Sequence, residues 1–559
     1  MTSPPEPTSP PSLGCLRGGM PAALKVVITA VVAAVLTGAI AVLPATSQAD
    51  DFHSKDFRFG QRAMAMGGAV TGAVTGPTAT LYNPAGLGFL HGSLFSGSMQ
   101  YFGRDRRTLH DALRSAPIGM KTLTSDSFLA TPTSSVITHA FRGGRHNIAY
   151  STFVVTAVDE HFSGKLSQSY TTPSFRHEDT VTASWRTRDK IMYMGPSYAY
   201  RPKKTLSFGV SLFYVRREQT LDFNSEAQTD EFDVATDLFY RSLFDDQASS
   251  VTLNDGALVA RLGVMWLPRP RWSVGFAVRT RSVSLHGKGS ERLKYTTSGD
   301  ALVDPPASPD RFSYSEAMMN VLTVYPWSLS VGAGYRASPT LLLTFGADLD
   351  LPVRYDRYER DAHAEPARSS VQTIARQTNW NVAAGAEWLI TSSIPLRAGL
   401  FTNRSAAPAV PLTSIGRAPA QVHRYGVTAS AGFVGDKRSF NIGAEYAWGS
   451  GYDSVAAESA SYRAEYVRTP RSESRFVLFL SGAISFVKTT ATDVIKHKLD
   501  EPTPAPGAAT PTGAPAAAAT SAGTEAGGVK PAPAKPAPAP PAGHKTGRDK
   551  AVIRRDAGE

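Results

Sequence analysis

Side-chain polarity alternates with a period of two along much of the chain between residues 92 and 488. From Trp272 to Arg279 every even position is large and apolar, since Val274, Phe276 and Val278 follow Trp272. The odd positions are small or charged. Successive side chains of a β-strand point to opposite faces of the sheet. The pattern therefore predicts a sheet with one apolar and one polar face. The same alternation returns in segments 257–266, 341–351, 380–388 and 440–448.

An apolar face of this kind can lie inside a soluble sandwich or outside a membrane barrel. Aromatic residues favour the barrel, because they recur at the ends of the apolar faces, where membrane barrels carry their interfacial girdles. These residues are Trp266, Trp272, Trp327, Tyr335, Trp380, Trp388 and Trp448. The pattern thus predicts an all-β fold, a transmembrane antiparallel β-barrel, with a soluble sandwich as the alternative.

The connections between the predicted strands alternate in length. Short links occur at 143–145, 202–204, 268–270, 338–339, 391–393 and 435–437. Long links lie at 104–132, 163–178, 219–252, 286–320, 357–370, 405–419 and 450–473. Outer-membrane barrels have short periplasmic turns and long external loops. Counting between the links predicts about fourteen strands, with both termini on the periplasmic side.

An export signal precedes the barrel. Lys25 is followed by an apolar stretch, residues 26–43, and Ser47 and Ala49 are small residues that suit cleavage before Asp50. We therefore predict a signal peptide over residues 1–49, with Met20 as a possible start, and an uncleaved anchor as the alternative. No later segment has the roughly 20 consecutive apolar residues of a spanning helix, so a bacterial outer-membrane location requires a closed sheet.

The predicted barrel, residues 92–488, ends in a strand whose outward residues finish at Phe486. Such a terminal aromatic resembles the signal that barrel-assembly machinery reads. Residues 489–559 are rich in Pro and Ala and predict a disordered periplasmic tail. Cys15 is the single cysteine and lies within the predicted signal, so the mature chain would have no thiol.

The sequence gives little support to enzymatic or nucleic-acid functions. The formal net charge is +11, but the cations are scattered rather than gathered on one element, so nucleic-acid binding is not predicted. No metalloprotease, phosphate-loop or nucleophile-elbow motif is present. We expect no enzyme activity, no cofactor and no metal, although a barrel lipase built on Ser and His is a third, weaker hypothesis.

A glycine- and alanine-rich segment lies between the signal and the first strand. It contains Arg62-Ala-Met64-Ala-Met66-Gly67-Gly68 and, further on, Asn83-Pro84-Ala85-Gly86. Small residues allow close packing in a narrow lumen, and Asn-Pro fixes a turn. This segment resembles the N-terminal hatch of the FadL/TodX family of outer-membrane transporters. We therefore predict a lumenal hatch over residues 50–91, with a glycine-rich entry loop as the alternative.

The resemblance extends to the proline-led strand 325–336 and to strand 396–400. It implies fourteen strands, passive uptake of long-chain fatty acids or other hydrophobic compounds, capture by long external loops, and lateral exit beside a kinked third strand. Here strand 147–162 lacks a glycine-rich kink pattern. The capture residues would come from the third and fourth loops, where residues 234–244 have an amphipathic helical spacing. They are Leu238, Phe239, Leu243, Phe244, Tyr314 and Met318; packing of the loops as a lid is the alternative.

By alternation, a set of charged residues should face the lumen: Arg261, Arg279, Arg281, Asp348, Asp350, Glu387 and Arg397. An ion-pair network that braces the wall and holds the hatch is one interpretation, and an arginine that receives a carboxylate head group is the other. We expect a monomer in contact with outer-membrane lipid. The alternative function is an envelope assembly or scaffold barrel without small-molecule transport.

Overall fold

The computed structural model describes residues 52–53, 56–115, 119–297, 310–359, 373–414, 417–456 and 466–486. Contacts divide the chain into two units, Met1–Pro502 and Thr503–Glu559, and all described residues belong to the first. The predicted signal peptide and the predicted tail therefore lie outside the described residues.

The segment before the first strand folds into short helical turns. They are helix α1 (Gln61–Ala65), helix α2 (Ala79–Tyr82) and a 3-10 helix (Pro84–Phe89). Gly67 and Gly68 follow α1 with φ angles of 62° and 85°, a conformation that glycine adopts without steric cost. None of the helices in the described part of the chain is long and apolar enough to cross a membrane.

The remaining described elements are strands. Their bounds are β1 (Ser93–Ser115), β2 (Gly119–Phe141), β3 (His146–Thr171), β4 (Phe175–Lys203), β5 (Leu206–Asp233), β6 (Phe239–Arg269), β7 (Trp272–Arg279), β8 (Val283–Thr297), β9 (Asp310–Val321), β10 (Ser328–Arg336), β11 (Leu341–Asp350), β12 (Val353–Asp356), β13 (Tyr358–Glu359), β14 (Thr373–Arg376), β15 (Asn379–Thr391), β16 (Ile394–Asn403), β17 (Thr413–Ser414), β18 (Gln421–Val434), β19 (Arg438–Ala456) and β20 (Tyr466–Ser485).

The sheet closes on itself, because β1 pairs with β2 on one side and with β20 on the other. All ladders are antiparallel, and the wall has 14 strands, which confirms the predicted fold class. Two wall strands are interrupted. One consists of β7 and β8, and the next consists of β9 and β10. Where the ladders are continuous, closure leaves no free sheet edge, so the backbone groups of the wall are paired there within the protein.

Outward side chains form the predicted apolar band. Trp266, Trp272 and Trp388 are exposed near the short hairpins, and Trp380 and Trp448 are exposed toward the other end of their strands. This arrangement matches two interfacial girdles.

The inward side of the wall surrounds the hatch, and the two make close contact at glycines. A Cβ placed on Gly399 would lie 2.2 Å from the carbonyl carbon of Met66. The alternation therefore serves close packing inside and lipid contact outside.

The predicted long loops are mostly continuations of the strands. β1 and β2 pair as far as Ser115 and Gly119, and β5 and β6 pair as far as Phe232 and Phe239. The helical interpretation of residues 234–244 is therefore wrong. The physical reason is that the ladder satisfies the backbone groups, while the Asp233 carboxylate accepts hydrogen bonds from the N–H groups of Ala235 and Thr236 and closes a turn.

The N-terminal end of the described chain lies on the side of the long connections. Phe52 packs with Tyr355, Ile374 and Ala406, and its carbonyl accepts a hydrogen bond of 3.1 Å from the Ala406 N–H. The segment that follows Phe52 runs through the lumen. The termini themselves lie outside the described residues, so their periplasmic location stays a prediction. At the other end, the Phe486 N–H donates to the Ser93 carbonyl at 2.9 Å, where β1 begins.

Candidate transport path through the barrel

The Asn-Pro turn anchors the hatch to the wall. Asn83 is fully buried, and its side-chain oxygen accepts a hydrogen bond from the Ala85 N–H at 3.2 Å. Its Nδ2 donates to the Thr71 carbonyl at 2.9 Å and to the Val264 carbonyl of β6 at 3.1 Å. One side chain thus starts the 3-10 helix, ties two parts of the hatch together and joins them to the wall.

Two buried carboxylates on the wall hold the hatch by ion pairs. Glu387 of β15 binds Arg62 of α1 at 2.7 Å and Arg397 of β16 at 2.6 Å. Glu445 of β19 binds Arg58 at 2.8 Å. Charge-assisted hydrogen bonds of this kind are strong when they are screened from water, and they leave neither partner unpaired. The structure therefore brings Arg62, Glu387 and Arg397 together as a bracing network.

A second network of charged residues contacts the N-terminal part of the hatch. Arg424 of β18 binds Asp56 at 3.0 Å and Glu473 of β20 at 2.6 Å. Arg471 in turn binds Glu473 at 2.8 Å and Glu160 of β3 at 2.7 Å. The first of these pairs attaches Asp56 of the hatch to the wall, and the others join β18, β20 and β3 across the lumen. Displacement of the hatch would therefore leave Arg424 with one carboxylate in place of two.

A cavity of about 90 Å³ remains between the hatch and the wall. One side is apolar and includes Phe57, Phe59 and Val155, which lie beside aromatic wall residues. The opposite side carries two arginines and two aspartates. The polar lining residues are Arg261, Arg279, Asp348 and Asp350, and the aromatic wall residues are Tyr193 and Phe213. An apolar body with a small polar group is the composition of a site for a hydrophobic ligand, but ligand pockets hold about 300–1,000 Å³. A ligand therefore needs the hatch to move before it can enter this space.

The arginines of the cavity are only partly satisfied. Arg261 donates to the Leu81 carbonyl and to Ser330 Oγ, and Arg279 Nη2 donates to Asp350 at 3.2 Å. The Nε atoms of both arginines are buried and make no hydrogen bond to any part of the chain that the structure describes. They are donors that a polar group of a ligand could use.

The wall is interrupted beside this cavity. The ladder between β2 and β3 ends at Ser134 and Phe153. Beyond it, β3 is paired with β4 through a bulge at Val155, since the register shifts between Val154 and Thr156. The opening is bounded further out, where the His161 N–H donates to Ser125 Oγ at 2.9 Å. An irregular third strand is therefore present, although a bulge rather than glycines produces it.

A family model described as "Outer membrane protein transport protein (OMPP1/FadL/TodX)" matches residues 40–449. The chain belongs to this family. Its structure is similar to the crystal structure of a Pseudomonas aeruginosa FadL homologue, with a TM-score of 0.55 and 12% identity over 78% of this chain and 100% of the other. The Pseudomonas putida toluene transporter TodX is similar with a TM-score of 0.48 and 13% identity, over 78% and 100% of the two chains. A search of curated proteins gave no match.

The hatch residues predicted from the FadL/TodX motif all lie in the lumen. Met64, Met66 and Ala85 are buried, and Pro84 begins the 3-10 helix that also contains Gly86. The wall charges follow the predicted parity for Arg261, Arg279, Asp348, Asp350, Glu387 and Arg397. Arg281 is the exception. It is exposed and lies in the break between β7 and β8, where the strand loses its alternation.

The predicted capture residues lie on extended hairpins of this FadL/TodX-family barrel rather than on loops. Leu238 and Phe239 are 67% and 59% exposed at the turn between β5 and β6, and Phe244 is half-buried on β6. Leu243 lies on β6, and Tyr314 and Met318 lie on β9; their side chains are outside the described part.

Sequence reasoning missed a further apolar group, which we call the external cluster: Leu109, Ala112, Leu113, Leu123, Phe162, Ala183 and Val455. It lies where β1 to β4 and β19 extend beyond the apolar band. The sequence predicts loops over 104–132 and 163–178, because charged residues interrupt the alternation there. The apolar residues at 109, 113 and 123 are the sequence feature that could have indicated this cluster.

Proposed function

We propose that this barrel passively takes up hydrophobic compounds such as long-chain fatty acids, with capture outside the membrane and gating by the hatch. The observation that carries the proposal is the cavity between the hatch and the wall, which opens beside the interrupted ladder of β2 and β3. An enclosed apolar surface next to a break in a membrane-facing wall suits a ligand that prefers lipid to water.

Capture is supported by apolar side chains outside the band that faces lipid. Leu238 and Phe239 are exposed at the end of a hairpin, and large exposed apolar residues in contact with water have an energetic cost unless they bind something. The external cluster is buried, so it braces the extended hairpins and presents no free surface of its own. The exposed hairpin end is therefore where capture would begin.

Gating is supported by the position and attachment of the hatch. Phe57 and Phe59 contribute the apolar side of the cavity from the hatch itself, so a movement of this segment would change the shape of the site. The ion pairs of Arg58 and Arg62 hold it in the closed arrangement. A ligand that binds better to the displaced hatch than to the closed one would shift the population toward opening.

Exit into the membrane is supported by the gap at Val155. This half-buried residue lines the cavity and lies at the bulge of β3. A lateral route would let a hydrophobic molecule pass from the cavity into the lipid without entering water below the hatch. A route along the lumen would expose its apolar surface to water, which is unfavourable.

The proposal can be tested by uptake of labelled oleate in a strain that lacks its own fatty-acid transporter. The full chain should restore uptake, and a variant lacking residues 57–90 should lose hydrophobic selectivity and admit small hydrophilic solutes. Uptake no greater than with an empty vector, from a barrel shown to be folded in the outer membrane, would refute transport and favour a scaffold function.

A further inference from the structure

A groove of about 620 Å³ lies on the outer surface, across β2, β3, β4 and β5. Pro196 of β4 forms the floor of the groove. It pairs with Tyr150 of β3 and lies between this tyrosine and Leu212 of β5. Tyr150 and Leu212 are both well exposed, so tall side chains flank a short one. The lining is almost wholly apolar, and it includes Ile137, Ile148, Tyr198 and Val210.

The two hairpins at the short-turn end of the groove are rich in cations. Arg142 and Arg145 lie on the β2–β3 hairpin, Lys203 and Lys204 lie on the β4–β5 hairpin, and all four are exposed. Arg201 is different, because its guanidinium points inward and lies 5.7 Å from the centre of the Phe89 ring of the hatch. The two hairpins are in contact, because the Arg201 N–H donates to the Arg145 carbonyl at 2.8 Å. Within the part of the chain that the structure describes, none of the four exposed cations forms an ion pair with a carboxylate.

Other short hairpins differ from these two. The β15–β16 hairpin, Thr391 to Ile394, carries no charge, and the β18–β19 hairpin contains Asp436 beside Lys437. The β6–β7 hairpin has only Arg269 and Arg271. The two neighbouring hairpins below the groove thus present four exposed cations together, against two on the β6–β7 hairpin, and they belong to the same four strands as the groove.

Amphipathic side chains mark the boundary between the groove and the cations. His146 Nδ1 and the Tyr198 hydroxyl are 2.8 Å apart, and the rings of His146 and Tyr200 lie 5.1 Å apart. Rings of this kind are found at the level of lipid head groups. The cations beyond them therefore lie at head-group depth, and the groove lies at the depth of the acyl chains.

We propose that this surface binds one anionic glycerophospholipid, with an acyl chain in the groove and the phosphate group on the basic hairpins. Short hairpins of outer-membrane barrels face the periplasm, so the lipid belongs to the inner leaflet. The commitment to an anionic lipid follows from charge complementarity, since a neutral lipid would leave the four exposed cations uncompensated. The site faces the membrane, so it does not depend on the proposed cargo.

The test uses the full chain, purified in non-ionic detergent and freed of lipid, then mixed with equal amounts of dioleoyl phosphatidylglycerol and dioleoyl phosphatidylcholine. Native mass spectrometry counts the bound molecules. One phosphatidylglycerol should be retained, in about tenfold preference over phosphatidylcholine. Equal retention of the two lipids would overturn the proposal.

Two matched pairs of variants separate the head group from the chain. Arg145→Gln/Lys203→Gln should remove the preference for phosphatidylglycerol, whereas Arg269→Gln/Arg271→Gln, with the same change in charge on another hairpin, should keep it. Val210→Trp should fill the groove and reduce retention, whereas Val274→Trp on β7 should not; these valines are 38% and 41% exposed. Heat-modifiable gel migration verifies folding. Equal losses in a test variant and its control would also overturn the proposal.

Discussion

Arg62 of the hatch donates two hydrogen bonds to the Glu387 carboxylate of β15, from Nη2 at 2.7 Å and from Nε at 3.0 Å. Arg397 donates a third from its Nε at 2.6 Å. A single buried carboxylate therefore compensates two guanidinium groups, one on the hatch and one on the wall. Removal of its charge would leave Arg397 buried, and Arg62 partly buried, without this compensation.

Glu387→Gln should loosen the hatch. Breaking a buried ion pair by removing one partner typically costs about 3–5 kcal/mol, which is large compared with the contacts of a short segment. We expect more frequent and larger openings in single-channel recordings from planar bilayers. Asp126→Asn is the control, because its pair with Arg104 is exposed and should contribute little. A folded Glu387→Gln barrel with the conductance of the wild type would contradict this assignment.

Val155→Trp should block the lateral route. Val155 lies at the bulge of β3 and lines the cavity, so an indole there would fill the space between the cavity and the gap. Overpacking costs about 1–3 kcal/mol, which a closed barrel should tolerate. We expect oleate uptake to fall close to the value for an empty vector. The outward Val274→Trp on β7 should retain uptake; a Val155→Trp barrel that transports normally would exclude exit at this point.

The external extension of β3 and β4 should keep its ion pairs in mild acid. The hydrogen bond from Arg186 lowers the pKa of Asp159 below its usual range. Because the pKa is lower in the folded protein, this contribution is fully present above the unfolded pKa and is lost as the pH falls through the folded pKa. We expect hydrogen exchange of this hairpin to be unchanged from pH 7 to about pH 5 and to increase below the usual aspartate range.

Asp159→Asn is the variant that checks this pH dependence. It should remove the acid-induced increase in exchange while changing exchange at neutral pH only slightly, since the pair is partly exposed. An unchanged acid response in Asp159→Asn would assign the effect to other carboxylates.

The membrane-spanning strands of the wall could be predicted from the sequence because all of them follow one rule. Their outward side chains are apolar, and their inward side chains are small or polar. Trp272 and Trp448 obey it, and both are exposed as expected. The rule fails outside the membrane, where both faces of an extended strand meet water, so β5 and β6 were not recognised as strands beyond the apolar band. It also fails at local irregularities, because a constant parity cannot be carried across them. Beside Arg281 the outward residues change from even to odd positions, and at the bulge the apolar residues 153–155 are consecutive.

In the candidate site, too, local features could be predicted from the sequence and remote contacts could not. The Asn83-Pro84 turn was recognisable because its chemistry is local. The partners of that turn were not, since Val264 lies 181 residues away in the sequence. The pairing of Glu387 with Arg62 is equally remote and depends on how the hatch sits in the closed barrel.

The pair formed by Arg279 and Asp350 gives a test of whether the cargo carries a carboxylate. Arg279 Nη2 lies 3.2 Å from Asp350, which competes with any ligand anion for the guanidinium. Asp350→Asn should therefore raise the affinity for oleate, and Arg279→Gln/Asp350→Asn, which preserves the net charge, should lower it. A charge-assisted hydrogen bond contributes about 1.5–3 kcal/mol, or about 10- to 100-fold in affinity.

Oleyl alcohol provides the matched neutral ligand, since it has the same chain without the carboxylate. Binding of both ligands can be followed by isothermal titration of the barrel in detergent. If the guanidinium receives a carboxylate, the two variants should move the affinity for oleate in opposite directions and leave that for oleyl alcohol nearly constant. Parallel changes for both ligands would mean that the pair acts only by shaping the cavity, and a neutral hydrocarbon would then be the better candidate for the cargo, because burying an uncompensated carboxylate is costly.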